Sequence, residues 1–254
     1  MNFFDKNNNF TIDDGVYCQK NFRSDEFQKE YVGIRTKEGR MYDDTTVKEL
    51  PSISREHSLY KEWKIRKASA DKLIARLKEE MCGSVMEVGC GNGWLTRYIQ
   101  GHINIPAYGI DIGLTELKQA ARISNGRAAF VYGDILSGAF HDLKVDTIVL
   151  AACAQYFCNL KSLVDTLLQM LDHKGSIHII DTPFYKTGIA SNARSRSATY
   201  FRSKDAAGME PFYYHHEIDE LKDLNAEFLY QPTRIKKLMG NSSPFPWIRI
   251  RKEY

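Results

Sequence analysis

The segment Glu87-Val88-Gly89-Cys90-Gly91-Asn92-Gly93-Trp94 constrains this chain more than any other, because it joins the apolar run Val85–Val88 to the helical stretch Trp94–Gln100. Its three glycines permit positive φ and remove side chains where the backbone must approach a ligand. Free N–H groups at the start of the following helix favour a carboxylate or hydroxyl oxygen. The glycines fall at every second residue, which separates this loop from the G-x-G-x-x-G turn of dinucleotide-binding proteins.

Around this unit, short β-type runs alternate with helical stretches. The predicted strands are Val85–Val88, Ala107–Ile110, Ala128–Tyr132, Val145–Leu150 and Ile177–Ile180, and the predicted helices are Trp94–Gln100, Leu114–Ser124 and Leu160–Leu171. Such alternation implies a doubly wound α/β domain, mostly parallel, with helices on both faces of the sheet. Two closing strands, Ala226–Tyr230 and Trp247–Arg251, lack a long crossover and predict an antiparallel finish. Ahead of the glycine loop, Leu59, Trp63, Ala70, Leu73, Ile74 and Leu77 recur at helical spacing. The first 50 or so residues carry turn clusters (Asn7-Asn8-Asn9, Asp13-Asp14-Gly15, Lys37-Glu38-Gly39) and little sustained period. The expected organisation is an extension or lid over residues 1–54 and the α/β domain over 55–254.

At 254 residues the chain can bury a substantial core, and a net charge of +3 supplies no strong field toward nucleic acid or an anionic membrane. Its five cysteines include no C-x-x-C pair, which points to reduced thiols in a cytoplasm. Met1–Asn7 lacks the basic-then-apolar pattern of a secretory signal, and no apolar run reaches the roughly 20 residues of a membrane span.

The acidic-x-Gly-x-Gly-x-Gly pattern from Glu87 to Gly93 resembles the first motif of the class I S-adenosylmethionine-dependent methyltransferases. The order of elements over about residues 80–254 resembles their seven-stranded fold. The resemblance implies S-adenosylmethionine as cofactor. It places Glu87, Gly89, Cys90, Gly91, Asn92 and Gly93 around the methionine part, Asp111 and Ile112 at the ribose, Asp134 and Ile135 at the adenine, and Ala151 beside the cofactor. Asp111 also stands where an acidic residue meets a ribose in related sheets. Trp63 and Arg66 lie one helical turn apart, so Arg66 is expected to meet the methionine carboxylate. Within the class, the chain resembles bacterial enzymes with the small-molecule methyltransferase domain, and it lacks the Asn/Asp-Pro-Pro-aromatic sequence of the nucleic-acid amino-methylating members after the fourth strand.

That position reads Ala151-Ala152-Cys153-Ala154-Gln155-Tyr156-Phe157, where small residues leave room and Gln155 and Tyr156 are placed to face the pocket. Cys153 has no neighbouring base in sequence and reads as a buried small thiol. No metal site is expected, since Asp181 is the sole carboxylate at a suitable strand end. The acceptor chemistry is expected from Tyr185 and the aromatic segment Met209–His216, with His215 or His216 as a base near neutral pH. The acceptor is expected to be a small molecule, with neither membrane nor nucleic acid as partner. RNA or protein methylation, fed by Arg194, Arg196, Arg202 and Lys204, is the second reading, and a cofactor-binding regulator without turnover the third.

Overall fold

The computed structural model describes residues 3–5, 7–24, 26–232 and 243–252. It opens on a β-hairpin, β1 (Phe10–Asp13) and β2 (Val16–Gln19), closed by the two-residue turn Asp14-Gly15 with φ of 48° and 79°. Positive φ at both positions matches the right-handed twist of the flanking strands, and Asp-Gly is among the few pairs that accept it. Helices α1 (Glu26–Lys37), α2 (Asp44–Glu49) and α3 (Tyr60–Glu79) follow. On α3, Trp63, Ala70, Leu73, Ile74 and Leu77 form the buried stripe.

The alternating part then runs β3 (Val85–Val88), α4 (Trp94–Ile103), β4 (Ala107–Asp111), α5 (Leu114–Ser124), β5 (Ala129–Tyr132), β6 (Val145–Ala151), α6 (Leu160–Gln169) and β7 (Leu171–Ile180). A further helix, α7 (Ala190–Ser203), and two short 3-10 turns lead to β8 (Ala226–Tyr230) and β9 (Trp247–Arg251). Within β3 to β7 the strands are parallel, and β9 runs antiparallel to both β7 and β8. The sheet order is β1-β2-β5-β4-β3-β6-β7-β9-β8.

The described sheet therefore has nine strands where seven were expected. The additional pair comes from the leading segment: β2 adds to β5 in parallel, Val16 opposite Phe130 and Cys18 opposite Tyr132. Val16 and Phe130 are fully buried, so this edge is held by apolar packing as well as by backbone bonds. The Ser/Arg-rich stretch 186–204 is helical over α7 alone, and the 217–224 stretch closes as a 3-10 turn over Ile218–Leu221.

Period-two alternation assigns the two cores. Met86 and Val88 face the layer that holds α6, whereas Val85 faces the one built from α3 and α4. Glu87 shares the Val85 side and lies under α4. The chain leaves β3 for β4 on one side and reaches β6 on the other, so the carboxyl ends of these strands bound a crevice at the switch point.

Candidate active site

The glycine loop turns at Gly89 and Gly93, whose φ values are 73° and 68°. A Cβ on Gly89 would lie 2.6 Å from Cβ of Cys153, and one on Gly93 would lie 2.4 Å from the Phe130 ring. Conformation and packing both demand glycine here. Beneath the loop, Glu87 is buried, and its Oε2 accepts the Thr96 hydroxyl at 2.5 Å. Burial pushes the Glu87 carboxyl up to about 8, and the Thr96 bond only partly opposes this.

Asp111 closes β4. Its Oδ2 accepts the Gly91 N–H at 2.8 Å and its Oδ1 accepts the Gly113 N–H at 2.7 Å. Burial raises its pKa while these N–H groups and that of Ile112 pull it back. A carboxylate has about four lone-pair sites, so Asp111 retains capacity for at least one further donor. After β5, Asp134 Oδ1 accepts the Leu136 N–H at 2.9 Å, and its own N–H donates to Oε1 of Gln19 at 3.0 Å.

A cavity of about 310 Å³ opens between these groups. Gly89, Asp111, Ile112, Asp134 and Ile135 line it from the strand ends, and Phe22, Phe27, Gln28 and Tyr31 line it from the leading segment. Its volume sits at the small end of ligand sites, about 300–1,000 Å³, and so suits one nucleoside better than a dinucleotide. The donor set fits S-adenosylmethionine. Asp111 offers acceptors to a ribose diol, Asp134 offers one to an exocyclic amine, and Ile112 and Ile135 give apolar contact for a flat ring.

The other residues expected at the cofactor surround this cavity rather than line it. Cys90 is buried, with its sulfur 2.8 Å from where a Gly109 Cβ would sit, and Asn92 is buried with Oδ1 accepting the Trp94 N–H at 3.3 Å. Gly91 N–H is held by Asp111, and Ala151 packs on the α3 side while Ala152 and Cys153 reach the cavity. The Cys153 thiol donates to the Val88 carbonyl at 2.9 Å, and burial pushes its pKa well up, so it is not a nucleophile. Gln155 secures its own loop, donating to the Ala152 carbonyl at 2.7 Å, and Tyr156 lines the cavity.

Arg66 lies in a second cavity of about 390 Å³, which shares Tyr156 with the first. Its Nε donates to Glu62 at 3.0 Å and its guanidinium sits 5.3 Å from the Trp63 ring centre. Tyr185, His215 and His216 correct the expected acceptor site: none of them lines either cavity. His216 is 2% exposed and both ring nitrogens are engaged, Nδ1 with Glu220 at 3.0 Å and Nε2 with the Ala154 carbonyl at 3.1 Å. That carbonyl also accepts the Phe157 N–H at 3.2 Å, so the imidazole is a second partner. His215 Nε2 meets Ser197 Oγ at 2.8 Å, and its ring packs on Tyr185 and Tyr213 at 5.6 and 5.1 Å. The three residues form a layer behind Tyr213, which does face the second cavity.

Sequence reasoning missed Phe22, Phe27, Gln28 and Tyr31. The signal was present, since Phe27, Tyr31 and Ile34 recur at helical spacing on α1.

Residues 85–175 match the family model described as "Methyltransferase domain". Among solved structures, the plantazolicin methyltransferase BpumL in complex with SAH aligns at a TM-score of 0.57 with 15% identity, over 90% of this chain and 97% of that one. Geranyl diphosphate C-methyltransferase from Streptomyces coelicolor A3(2) aligns at 0.58 with 13% identity, over 91% and 100%. Magnesium protoporphyrin IX methyltransferase (ChlM) from Synechocystis PCC 6803 aligns at 0.54 with 14% identity, over 88% and 98%. No curated protein matches the sequence significantly. The sheet order and glycine loop define a class I methyltransferase fold. Residues 85–175 are the part that matches the methyltransferase model, and the similar structures share the fold around them.

Proposed function

We propose that the chain transfers the methyl group of S-adenosylmethionine to a small-molecule acceptor. The observation that carries this reading is the adjacency of two cavities across Tyr156, one with the donor set for a nucleoside and one apart from it. When bound, the cofactor supplies a sulfonium that already holds the reactive methyl, so the protein's task is placement and exclusion of water. Asp111 and Asp134 orient the nucleoside. Tyr31 and Tyr156, ring centres 5.6 Å apart, narrow the junction. Arg66 is the cation proposed for the methionine carboxylate, with Glu87 and the glycine loop below it.

The similar structures bear the names of different compounds, plantazolicin, magnesium protoporphyrin IX and geranyl diphosphate, which supports the reaction class and leaves the acceptor to this chain's own residues. RNA or protein methylation loses its basis: Arg202 pairs with Glu210 at 2.8 and 3.0 Å, and Arg196 lines the second cavity, so the basic residues of α7 form no continuous stripe. All five cysteines are free, which supports a reducing compartment such as the cytoplasm. Among the described residues, no helix is long and apolar enough to cross a membrane.

The test is transfer of labelled methyl from S-adenosylmethionine to a metabolite panel by the purified chain, alongside calorimetry with S-adenosylhomocysteine. Binding with turnover on a small molecule is the expected result. Binding without turnover on any acceptor would leave a regulator, turnover on RNA or protein alone would move the acceptor class, and no binding would remove the assignment.

A further inference from the structure

We propose that the cavity beyond Tyr156 is the acceptor site and that it selects a small anion, an acceptor bearing a carboxylate or phosphate group. The proposal rests on the methyl-transfer reading above.

Four guanidinium groups, of Arg35, Arg40, Arg66 and Arg196, line this cavity against two carboxylates, of Glu38 and Glu62. The carboxylates are spoken for. Glu62 accepts Arg40 through both oxygens, at 2.6 and 2.5 Å, and Arg66 at 3.0 Å. Glu38 accepts Nε of Arg40 at 3.0 Å and the Tyr200 hydroxyl. Arg35 reaches Glu38 only at 3.7 Å, and its Nε is buried without a hydrogen-bond partner. Arg196 makes no ion pair among the described residues.

Arg196 therefore borders the cavity with no carboxylate, and Arg35 has only the long contact to a Glu38 already engaged by Arg40. Cationic acceptors are repelled there, and neutral ones leave a buried N–H unpaired, which is costly. A carboxylate or phosphate satisfies it, since arginine's planar fork matches both. Tyr156 and Tyr213 add aromatic walls for the body of such a molecule. Position agrees with chemistry: Arg35 lies one turn beyond Tyr31, which lines the nucleoside cavity, and Tyr156 borders both. Apart from Tyr156, the lining comes from α1, the turn after it, α3, α7 and the segment that follows, all outside the matched residues 85–175. The acceptor lining thus lies almost wholly outside the matched residues, whereas the nucleoside cavity draws on both parts of the chain.

The experiment is calorimetry on the full chain saturated with S-adenosylhomocysteine, using benzoate and phenyl phosphate as anionic probes and benzamide as the neutral counterpart. We expect at least one anion to bind roughly tenfold or more tightly than benzamide, and Arg35→Gln and Arg196→Gln each to weaken it by roughly ten- to a hundredfold. Affinity for S-adenosylhomocysteine should stay within about twofold in both variants. Arg196 is exposed, so its variant remains informative if Arg35→Gln fails to fold. Equal binding of charged and neutral probes overturns the proposal, as does anion binding indifferent to both variants. Loss of cofactor affinity in both variants assigns these arginines to the methionine carboxylate and overturns it equally. Failure of the unaltered chain to bind S-adenosylhomocysteine falls on the methyltransferase reading instead, and the same charged-against-neutral comparison on the chain alone then still decides the anion site.

Discussion

Asp111 and Gly91, twenty residues apart, are joined by a 2.8 Å bond from the glycine N–H to the carboxylate, so the group proposed for the ribose also ties the glycine loop to β4. Loop shape and sugar recognition therefore depend on one side chain. Asp111→Ala should weaken S-adenosylhomocysteine binding by about 1–3 kcal/mol and lower the melting temperature of the ligand-free chain as well, because two N–H groups lose their acceptor. Calorimetry and thermal melts check this; an unchanged affinity would refute the ribose role.

Glu87 predicts a pH dependence of stability. Burial raises its carboxyl from the ordinary 4.5 to about 8, so between those values the folded chain holds a proton that the unfolded chain has released. Its contribution is fully present below pH 4.5 and is lost as pH rises toward 8. Glu116, raised by burial and by Asp111 to about 7, adds the same sign over a narrower window. Glu87→Gln should flatten the decline and melt several degrees above the unaltered chain at pH 8. A parallel decline in both proteins would mean that Glu87 ionises normally.

Arg66, proposed for the methionine carboxylate, offers a test that distinguishes the two ends of the cofactor. Arg66→Gln should weaken S-adenosylhomocysteine by roughly tenfold, in keeping with about 1.5–3 kcal/mol for a bond to a charged group, and leave 5′-methylthioadenosine unchanged, since that ligand has no carboxylate. Equal losses for both ligands would place the effect on the fold rather than on the carboxylate.

The leading segment supplies both a sheet edge and a cavity wall. Deleting residues 1–50 should expose the β5 edge at Phe130 and Val131 and remove Phe22, Phe27, Gln28 and Tyr31 from the cofactor cavity. We expect loss of S-adenosylhomocysteine binding together with lower thermal stability. Binding that survives the deletion would show that the strand-end residues suffice.

The parts of this molecule that sequence reveals are those whose cause is local. Val85–Val88 is buried on both faces and Val145–Leu150 nearly so, and each reads as a mainly apolar run despite Glu87 in one and Asp146 and Thr147 in the other, while α5 keeps the Leu114–Ser124 limits that its periodicity implies. Asp14-Gly15 is a hairpin signal of known strength, yet it joins four-residue strands whose next partner, β5, lies more than a hundred residues away. Nothing in the order of residues brings Arg35, Arg66 and Arg196 together, because α1, α3 and α7 meet only in the fold. His216 had the right residue type in the right region, but its ring nitrogens are engaged by Glu220 and by the Ala154 carbonyl, a contact across 62 residues that only the fold creates.

The pairing of Val16 with Phe130 also sets a timetable for synthesis. The hairpin leaves the ribosome before its parallel partner, which is made 114 residues later, the difference between positions 130 and 16. At about 5–20 residues per second, that interval is roughly 6 to 23 seconds. Until then the fully apolar Val16 side chain has no strand to cover it and the nucleoside cavity has only half its lining, so the cofactor cannot assist the early stages of folding.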